Sequence, residues 1–320
     1  MRASLHAAAA ALRSANRIVL AAHVNPDGDA LGSALALTLA LRRMGKTAVP
    51  LSHDGVPEIY RWMPGQEWVL PETAERGFDL GILCDTGTLD RVGRARPALE
   101  SAALTLCIDH HAAEGSFGRL RLVNPKSAST GEIVYSLLRT LGASIDRQIA
   151  DCLMTAIVTD TGGFRFLNTT PATFRIAGEL ARYGASPAAV SELVFESRSF
   201  ASIQLLGRAL ASLHLEADGR IAWAEVRAAD FAELHASDED TEGIVTHVRA
   251  IRGVKVGVLF REIPGKKIRV SLRAREGCDV NAVAAKFGGG GHKLAAGCSL
   301  DPPLDRARRL LLDEVERIVG

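Results

Sequence analysis

His23-Val24-Asn25-Pro26-Asp27-Gly28-Asp29 decides how this chain is read. Residues 18–22 before it are uniformly apolar and predict a buried strand. Pro26 and Gly28 force a turn just past the strand end, and a helix begins near Ala30. Loops at strand ends are where α/β sheets place their chemistry. Asp27 and Asp29, separated by Gly28, can point into one crevice if the backbone is locally extended. Two anions that close raise each other's pKa unless a cation lies between them. The stretch alone fits a helix cap at least as well, with Asp29 capping and Asp27 favouring the positive helix end.

Working outward, the pattern recurs. An apolar strand over 80–84 ends in Asp85, and a third over 104–108 ends in Asp109-His110-His111. If these strands are parallel, their acid and imidazole groups share one rim. Between them the chain predicts a helix over about 30–44, apolar nearly all round through Leu31, Leu35 and Leu39, then a strand over 47–52. Residues 54–76 are irregular, with Pro57, Pro64 and Pro71. Helices follow over about 129–141, capped by Ser129 or Thr130 with Glu132 in the first turn, and over 146–159. The second runs into Asp160, then Gly162-Gly163. An acid at a helix C-terminus opposes the dipole, which signals a functional demand or a loop hydrogen bond. A further helix covers 171–183.

Composition sets the outer limits. The chain has 320 residues, 47% hydrophobic and 23% charged, enough for two modest domains. A net charge of +1 argues against gripping a long polyanion by bulk charge and favours a short substrate met by a few local cations. Five cysteines without C-x-x-C spacing read as buried thiols in a reducing compartment, hence a cytoplasmic protein. No stretch is long and apolar enough to span a bilayer, so no membrane partner is expected. The character changes near 185–202, giving an expected division into a first domain over 1–186, a helical linker over 187–205 and a second domain over 206–320. The second domain predicts strands near 220–226, 254–260 and 268–272, a short helix over 279–286 and a final helix over 305–319. On the third of these strands Arg269, Ser271 and Arg273 share the polar face. Gly288-Gly289-Gly290-Gly291-His292 follows the short helix; such a run lets backbone N–H groups approach an anion, although it lacks the P-loop spacing.

His23, Asp27, Asp29, Asp85, His110 and Asp160 together form a carboxylate and imidazole set without thiolate, suited to manganese, magnesium, zinc or iron(II). Such sets hold two divalent ions roughly 3.5–4 Å apart. Each residue alone has an ordinary structural explanation: strand-end acids cap helices, and a lone histidine is usually packed. The tripeptide Asp109-His110-His111 alone reads as a surface histidine pair. Adjacent histidines in extended chain point in opposite directions, which would leave one for metal and one for substrate, with Asp109 orienting an imidazole.

These motifs resemble the four signatures of the DHH phosphoesterase superfamily: His23-x-x-x-Asp27-x-Asp29, Asp85, Asp109-His110-His111 and Asp160. Gly288–Gly291, His292 and Ala295-Ala296-Gly297 resemble the signature of the associated C-terminal domain. Length and order are similar to the nanoRNase branch, which hydrolyses short oligoribonucleotides to mononucleotides and 3′-phosphoadenosine 5′-phosphate (pAp) to AMP. The resemblance implies an α/β fold: a parallel-sheet catalytic domain with flanking helices and a smaller α/β domain, with the active site in the cleft between them. It implies two divalent ions, manganese before magnesium or cobalt. One would be held by His23, Asp27 and Asp85, the other by Asp29, Asp85, His110 and Asp160. It also implies catalytic roles for His111, Asp109 and Asp85, and substrate contacts from Arg273 and His292 with Gly289, Gly290 and Gly291; Arg269 is a further candidate, and which of Arg269 and Arg273 faces the cleft stays open. A homodimer is a further implication. The competing readings are a phosphodiesterase for cyclic di-AMP or its linear product pApA, an exonuclease for long nucleic acid, and a nucleotide sensor without chemistry.

Overall fold

In a computed structural model the chain is described over residues 3–111, 115–265 and 267–320. It forms two compact units, Met1–Ser197 and Arg198–Gly320.

The first unit runs α1 (Leu5–Ser14), β1 (Arg17–Ala21), α2 (Gly28–Arg43), β2 (Thr47–Leu51), β3 (Leu80–Cys84), α3 (Arg96–Glu100), β4 (Leu104–Asp109), β5 (Leu120–Val123), α4 (Thr130–Leu141), α5 (Arg147–Asp160), α6 (Pro171–Arg182) and α7 (Pro187–Ser191). Its five strands pair in the order β2-β1-β3-β4-β5, all parallel, so every C-terminal end lies on one rim. β3 is buried at all five positions, as a central strand covered on both faces must be. α2 is buried at 14 of its 16 residues, which is why its sequence is apolar nearly all round.

Small residues bring the helix ends together at that rim. A Cβ on Gly28 would stand 2.4 Å from Thr159 Cγ2, one on Gly32 would stand 2.4 Å from Cys152 O, and one on Gly131 would stand 2.5 Å from Ala156 Cβ. These three glycines let the first two turns of α2 and the first turn of α4 press against α5.

The second unit runs α8 (Phe200–Ala211), β6 (His214–Glu216), β7 (Ile221–Val226), α9 (Ala228–Glu233), α10 (Ile244–Arg249), β8 (Val256–Glu262), β9 (Ile268–Ala274), α11 (Val280–Lys286), β10 (Gly290–His292), β11 (Ala295–Leu300) and α12 (Leu304–Val319). Its sheet has the order β10-β11-β9-β8-β7-β6, with β7 and β8 parallel and the other pairs antiparallel. Val256, Val258, Phe260, Ile268, Val270 and Leu272 face a core shared with α11 and α12, while Leu259 faces a second core with α8 and α10. The division at Ser197 falls inside the stretch expected as a linker: α7 belongs to the first unit and α8 to the second.

Two strands go beyond the sequence reading. Part of the glycine run is regular, since Gly290 to His292 form a strand paired with Ala295 to Gly297. β5 is an additional strand, only four residues long and too short to show a period. All five cysteines are free and buried, and among the described residues no helix is long and apolar enough to cross a membrane.

Candidate metal centre

β1 hands the chain to the His23–Asp29 turn, which is tied down by Val24 N–H to Arg91 O (2.6 Å) and Asn25 N–H to Asp54 Oδ2 (2.6 Å). Asp27 Oδ1 accepts from the N–H groups of Asp29 and Ala30 at 3.0 and 2.9 Å, so Asp27, not Asp29, caps α2. Its other oxygen lies 3.8 Å from His23 Nε2. Cap and candidate ligand are therefore two oxygens of one carboxylate rather than alternatives. Asp29 is fully buried and serves a different helix. Its carboxylate accepts from Thr130 N–H (2.7 Å) and Gly131 N–H (2.9 Å) in the first turn of α4, and from Ser33 Oγ (3.2 Å).

β3 delivers Asp85 in the left-handed region at φ 65°, a conformation that costs an L-residue about 1 kcal/mol. Its N–H is held by Ile108 O (2.9 Å), and its Oδ1 accepts from Thr130 Oγ1 (2.8 Å). Thr130 thus orients two of the acids at once, a role that sequence reading missed by taking it only as a helix cap.

β4 ends at Asp109, so the histidines beyond it are not extended strand. Their rings lie side by side, centroids 4.5 Å apart, instead of pointing to opposite faces. Their roles still differ. His110 Nδ1 meets Ser127 O at 3.3 Å, which turns Nε2 toward Asp160 (3.3 Å), Asp85 (3.5 Å) and Asp29 (3.7 Å). His111 donates its backbone N–H to Asp109 Oδ1 (3.0 Å), and its Nδ1 lies 2.7 Å from the same oxygen. His23 is set in the same way: Nδ1 meets Val24 O at 2.9 Å and Nε2 faces Asp85 at 3.5 Å. Asp160 is the last residue of α5, and its carboxylate meets His110 rather than a loop donor.

Three donor groups result: His23, Asp27 and Asp85; Asp29, His110 and Asp160; and Asp85, His110 and His111. Asp85 joins the first cluster to the histidines of the other two. Among the described residues no lysine or arginine pairs with Asp27, Asp29, Asp85 or Asp160. Burial first, and then the charges of neighbouring carboxylates, push Asp29 and Asp160 well above the usual carboxylate range. Burial pulls His23 down, but its bonds to Asp27 and Asp85 outweigh this and push it up to about 10. For Asp109 burial acts upward, yet the His111 bond lowers it; for His111 burial acts downward, yet the Asp109 bond raises it. Acids crowded without a counter-cation hold protons where cations would bind. Oxygen and nitrogen donors without thiolate, with imidazole Nε2 atoms aimed inward, fit hard to borderline divalent ions.

Of the expected substrate residues, Arg273, Arg269, His292 and Gly290 occupy one face of the second sheet, whereas Gly291 falls on the core face and Gly289 precedes the strand. Register places Arg273 opposite Ala295, Ala295 opposite His292, Ser271 opposite Gly297 and Gly297 opposite Gly290. Arg269 is on the same face but ion-pairs with Asp238, which also binds Arg261 at 2.8 Å. Arg273 is half-buried, and among the described residues its guanidinium bonds only Leu272 O, at 3.2 Å. The glycines separate by cause. A Cβ on Gly289 would lie 2.2 Å from Gly297 O, and one on Gly291 would lie 2.4 Å from Ala295 O, so packing of the hairpin explains both. Gly290 has open space where its Cβ would be, its nearest neighbour there being Asn281 Oδ1 at 3.9 Å.

A parallel sheet with acids and imidazoles gathered on its C-terminal rim defines a protein built to hold divalent cations for hydrolytic chemistry. The DHH family, N-terminal domain, matches residues 17–157, and the DHHA1 domain matches residues 221–320. The chain is 34% identical over 304 residues to the bifunctional oligoribonuclease and PAP phosphatase NrnA of Thermus thermophilus, covering 93% of this chain and 89% of that protein. It is 31% identical over 300 residues to the protein of the same name from Bacillus subtilis, covering 92% and 93%. A crystal structure of an exopolyphosphatase-related protein from Bacteroides fragilis superposes with a TM-score of 0.93 at 26% identity, over 98% of this chain and 97% of that one. The chain belongs to the DHH family of phosphoesterases, and it is a hydrolytic enzyme.

Proposed function

We propose that this enzyme hydrolyses short oligoribonucleotides to mononucleotides and pAp to AMP. The observation that carries the reading is the convergence of His23, Asp27, Asp29, Asp85, His110 and Asp160, in a chain that aligns over about nine-tenths of two relatives bearing both activities in their names. His23, Asp27 and Asp85 would hold one divalent ion, and Asp29, Asp85, His110 and Asp160 a second, with manganese the expected metal. Such ions supply Lewis acidity, making water nucleophilic near neutral pH and neutralising phosphoryl oxygens.

The protein's own residues set the geometry. Thr130 fixes Asp85 and Asp29 relative to one another. Asp109 is a positioning residue: it fixes the His111 ring through Nδ1 and favours its protonated form. His111 would then meet a phosphoryl oxygen through Nε2 and stabilise the charge that builds there. Arg273 and His292 would bind the part of the nucleotide that does not react, with Gly290 allowing close approach.

A product time course on labelled two- to ten-mers with manganese, run beside pAp, pApA and cyclic di-AMP, tests the proposal. Mononucleotides from the shortest chains and AMP from pAp are expected. Turnover confined to cyclic di-AMP, or to oligomers beyond the ten-mer, would replace it.

A further inference from the structure

Resting on the two-ion reading of the rim, Glu132 gains a role that a helix cap does not explain. It lies in the first turn of α4 and is only 4% exposed. Its Oε2 accepts from Ala128 N–H at 3.1 Å. Among the described residues its Oε1, also buried, has no hydrogen-bond partner, and the carboxylate has no ion pair. Ser129 caps α4 by accepting from Glu132 N–H at 3.3 Å, and in a capping box the Glu132 carboxylate would reach back to Ser129 N–H. It reaches instead to the residue before the cap. A glutamine could make the same bond without burying a charge, so capping alone does not account for a carboxylate here.

The far side of the bonded peptide shows what the carboxylate acts on. Ala128 N–H and Ser127 C=O belong to one planar trans peptide and point in opposite directions from it. The carbonyl meets His110 Nδ1 at 3.3 Å. A carbonyl only accepts, so Nδ1 carries its proton, and Nε2, 3.3 Å from Asp160 and 3.5 Å from Asp85, is the nitrogen left for an ion. A carboxylate on the N–H side polarises the same peptide and makes its carbonyl a stronger acceptor. The peptide has little room to turn. Asn168 Nδ2 donates to Ala128 O (2.9 Å) and Asp160 O (3.0 Å), and Ser127 N–H donates to Asn124 O (3.0 Å). Asp160, raised first by burial and then by Asp85 and Asp27, also feels the charge of Glu132. We propose that Glu132 is a positioning residue: acting through the Ser127–Ala128 peptide, it holds His110 with Nε2 toward the Asp29, Asp85 and Asp160 carboxylates and so strengthens the second of the two ion sites and not the first.

Manganese binding to the full chain, followed by calorimetry, tests this without any substrate. Glu132→Gln keeps an acceptor for Ala128 N–H but loses the charge, and one of the two ions should bind about three- to tenfold more weakly. Glu132→Met removes the acceptor, and the same ion should weaken by about 10- to 100-fold. The other ion should stay within about twofold in both. Leu137→Ala, which opens a cavity under the same helix, should lower Tm without selective loss of either ion. His110→Gln should weaken the ion that Glu132→Gln weakens, and in that background Glu132→Gln should cost less than about twofold more, since the ring it positions is gone. A selective loss of threefold or more in Glu132→Gln sustains the proposal even if Glu132→Met does not fold. A smaller loss, equal weakening of both ions, or a full additional loss in the His110→Gln background would overturn it. Failure of the underlying reading looks different: wild type would then bind fewer than two ions, or bind two and cleave neither pAp nor short oligonucleotides, and in the second case the binding data still decide the role of Glu132.

Discussion

The rim of the first sheet and the polar face of the second are opposites in charge and alike in construction. At the rim, Asp29 and Asp85 are buried and Asp27 and Asp160 crowd them, yet among the described residues no lysine or arginine answers them. On the second sheet, Arg249 and Arg273 are partly buried and, among the described residues, no carboxylate pairs with either. Elsewhere charge is matched in the ordinary way: Arg208 pairs with Asp230 and Glu233, Arg308 with Glu225 and Asp305, and Arg269 with Asp238. Unneutralised charge under a low-dielectric cover is costly, so it persists where a ligand of opposite sign completes it. The difference says where each ligand would be sought: divalent cations at the rim, an anion on the sheet face.

The comparison breaks most sharply at Asp85, the acid that faces both His23 and His110. Asp85→Asn is expected to lower kcat on pAp by on the order of 10³-fold or more, and to reduce the manganese bound per chain measured by elemental analysis. Turnover within tenfold of wild type would mean the rim is not the reaction centre.

Manganese and protons should compete at the rim. Asp29 and Asp160 have raised values in the fold, so the stability they contribute without metal is complete below the usual 3.8 and is lost as pH rises through their folded values. His23, raised from 6.5 to about 10, adds to the same trend between those two values. Asp27, lowered to about 2, works in the other direction, but only below 3.8. From pH 6.5 to 8.5 the metal-free fold should therefore lose stability from this cluster, while the loaded fold, its protons replaced, should not. The rise in Tm on adding saturating manganese is expected to be larger at pH 8.5 than at 6.5. A rise that shrinks with pH would contradict the reading of the rim as a proton-filled cation site.

Asp109 sharpens the contrast between holding a cation and orienting a proton donor. Asp109→Asn should keep manganese stoichiometry, lower kcat by about 10- to 100-fold, and shift the alkaline limb of the kcat–pH profile downward as His111 loses its partner. An unchanged pH profile would make Asp109 a fold residue only.

Much of this was legible from the sequence because strand-end acids announce themselves locally. His23, Asp27, Asp29, Asp85, His110 and Asp160 each follow an apolar run whose type and end could be read. What stayed hidden depends on contacts between distant segments. Thr130 orienting Asp85 across 45 positions, and α10 seated on Gly257, leave no periodic trace. The alternative in which Asp29 caps α2 does not hold for a related reason: its carboxylate is claimed by α4, more than 100 residues away, which leaves Asp27 to cap. The β10–β11 hairpin was hidden by its own composition, since Gly290 and Gly291 have no side chains to alternate.

The smallest effect separates glycines that the fold needs from one that it leaves open. Gly289→Ala would drive a methyl to 2.2 Å from Gly297 O, a backbone atom that cannot rotate away, and should cost about 1–3 kcal/mol of stability by denaturant unfolding. Gly290→Ala meets nothing closer than 3.9 Å and should leave stability within about 0.5 kcal/mol. Its methyl would nevertheless stand on the face shared by Gly297 and Ser271, on the strand that also carries Arg273. There it should raise KM for pAp about three- to tenfold by holding the nucleotide off the backbone, with kcat little changed. If Gly290→Ala instead unfolds the chain while Gly289→Ala is tolerated, the hairpin is packed differently and the sheet face loses its claim to the substrate. If both are stable and both bind normally, the glycines serve the hairpin alone, and recognition of the nucleotide falls to the arginines beside it.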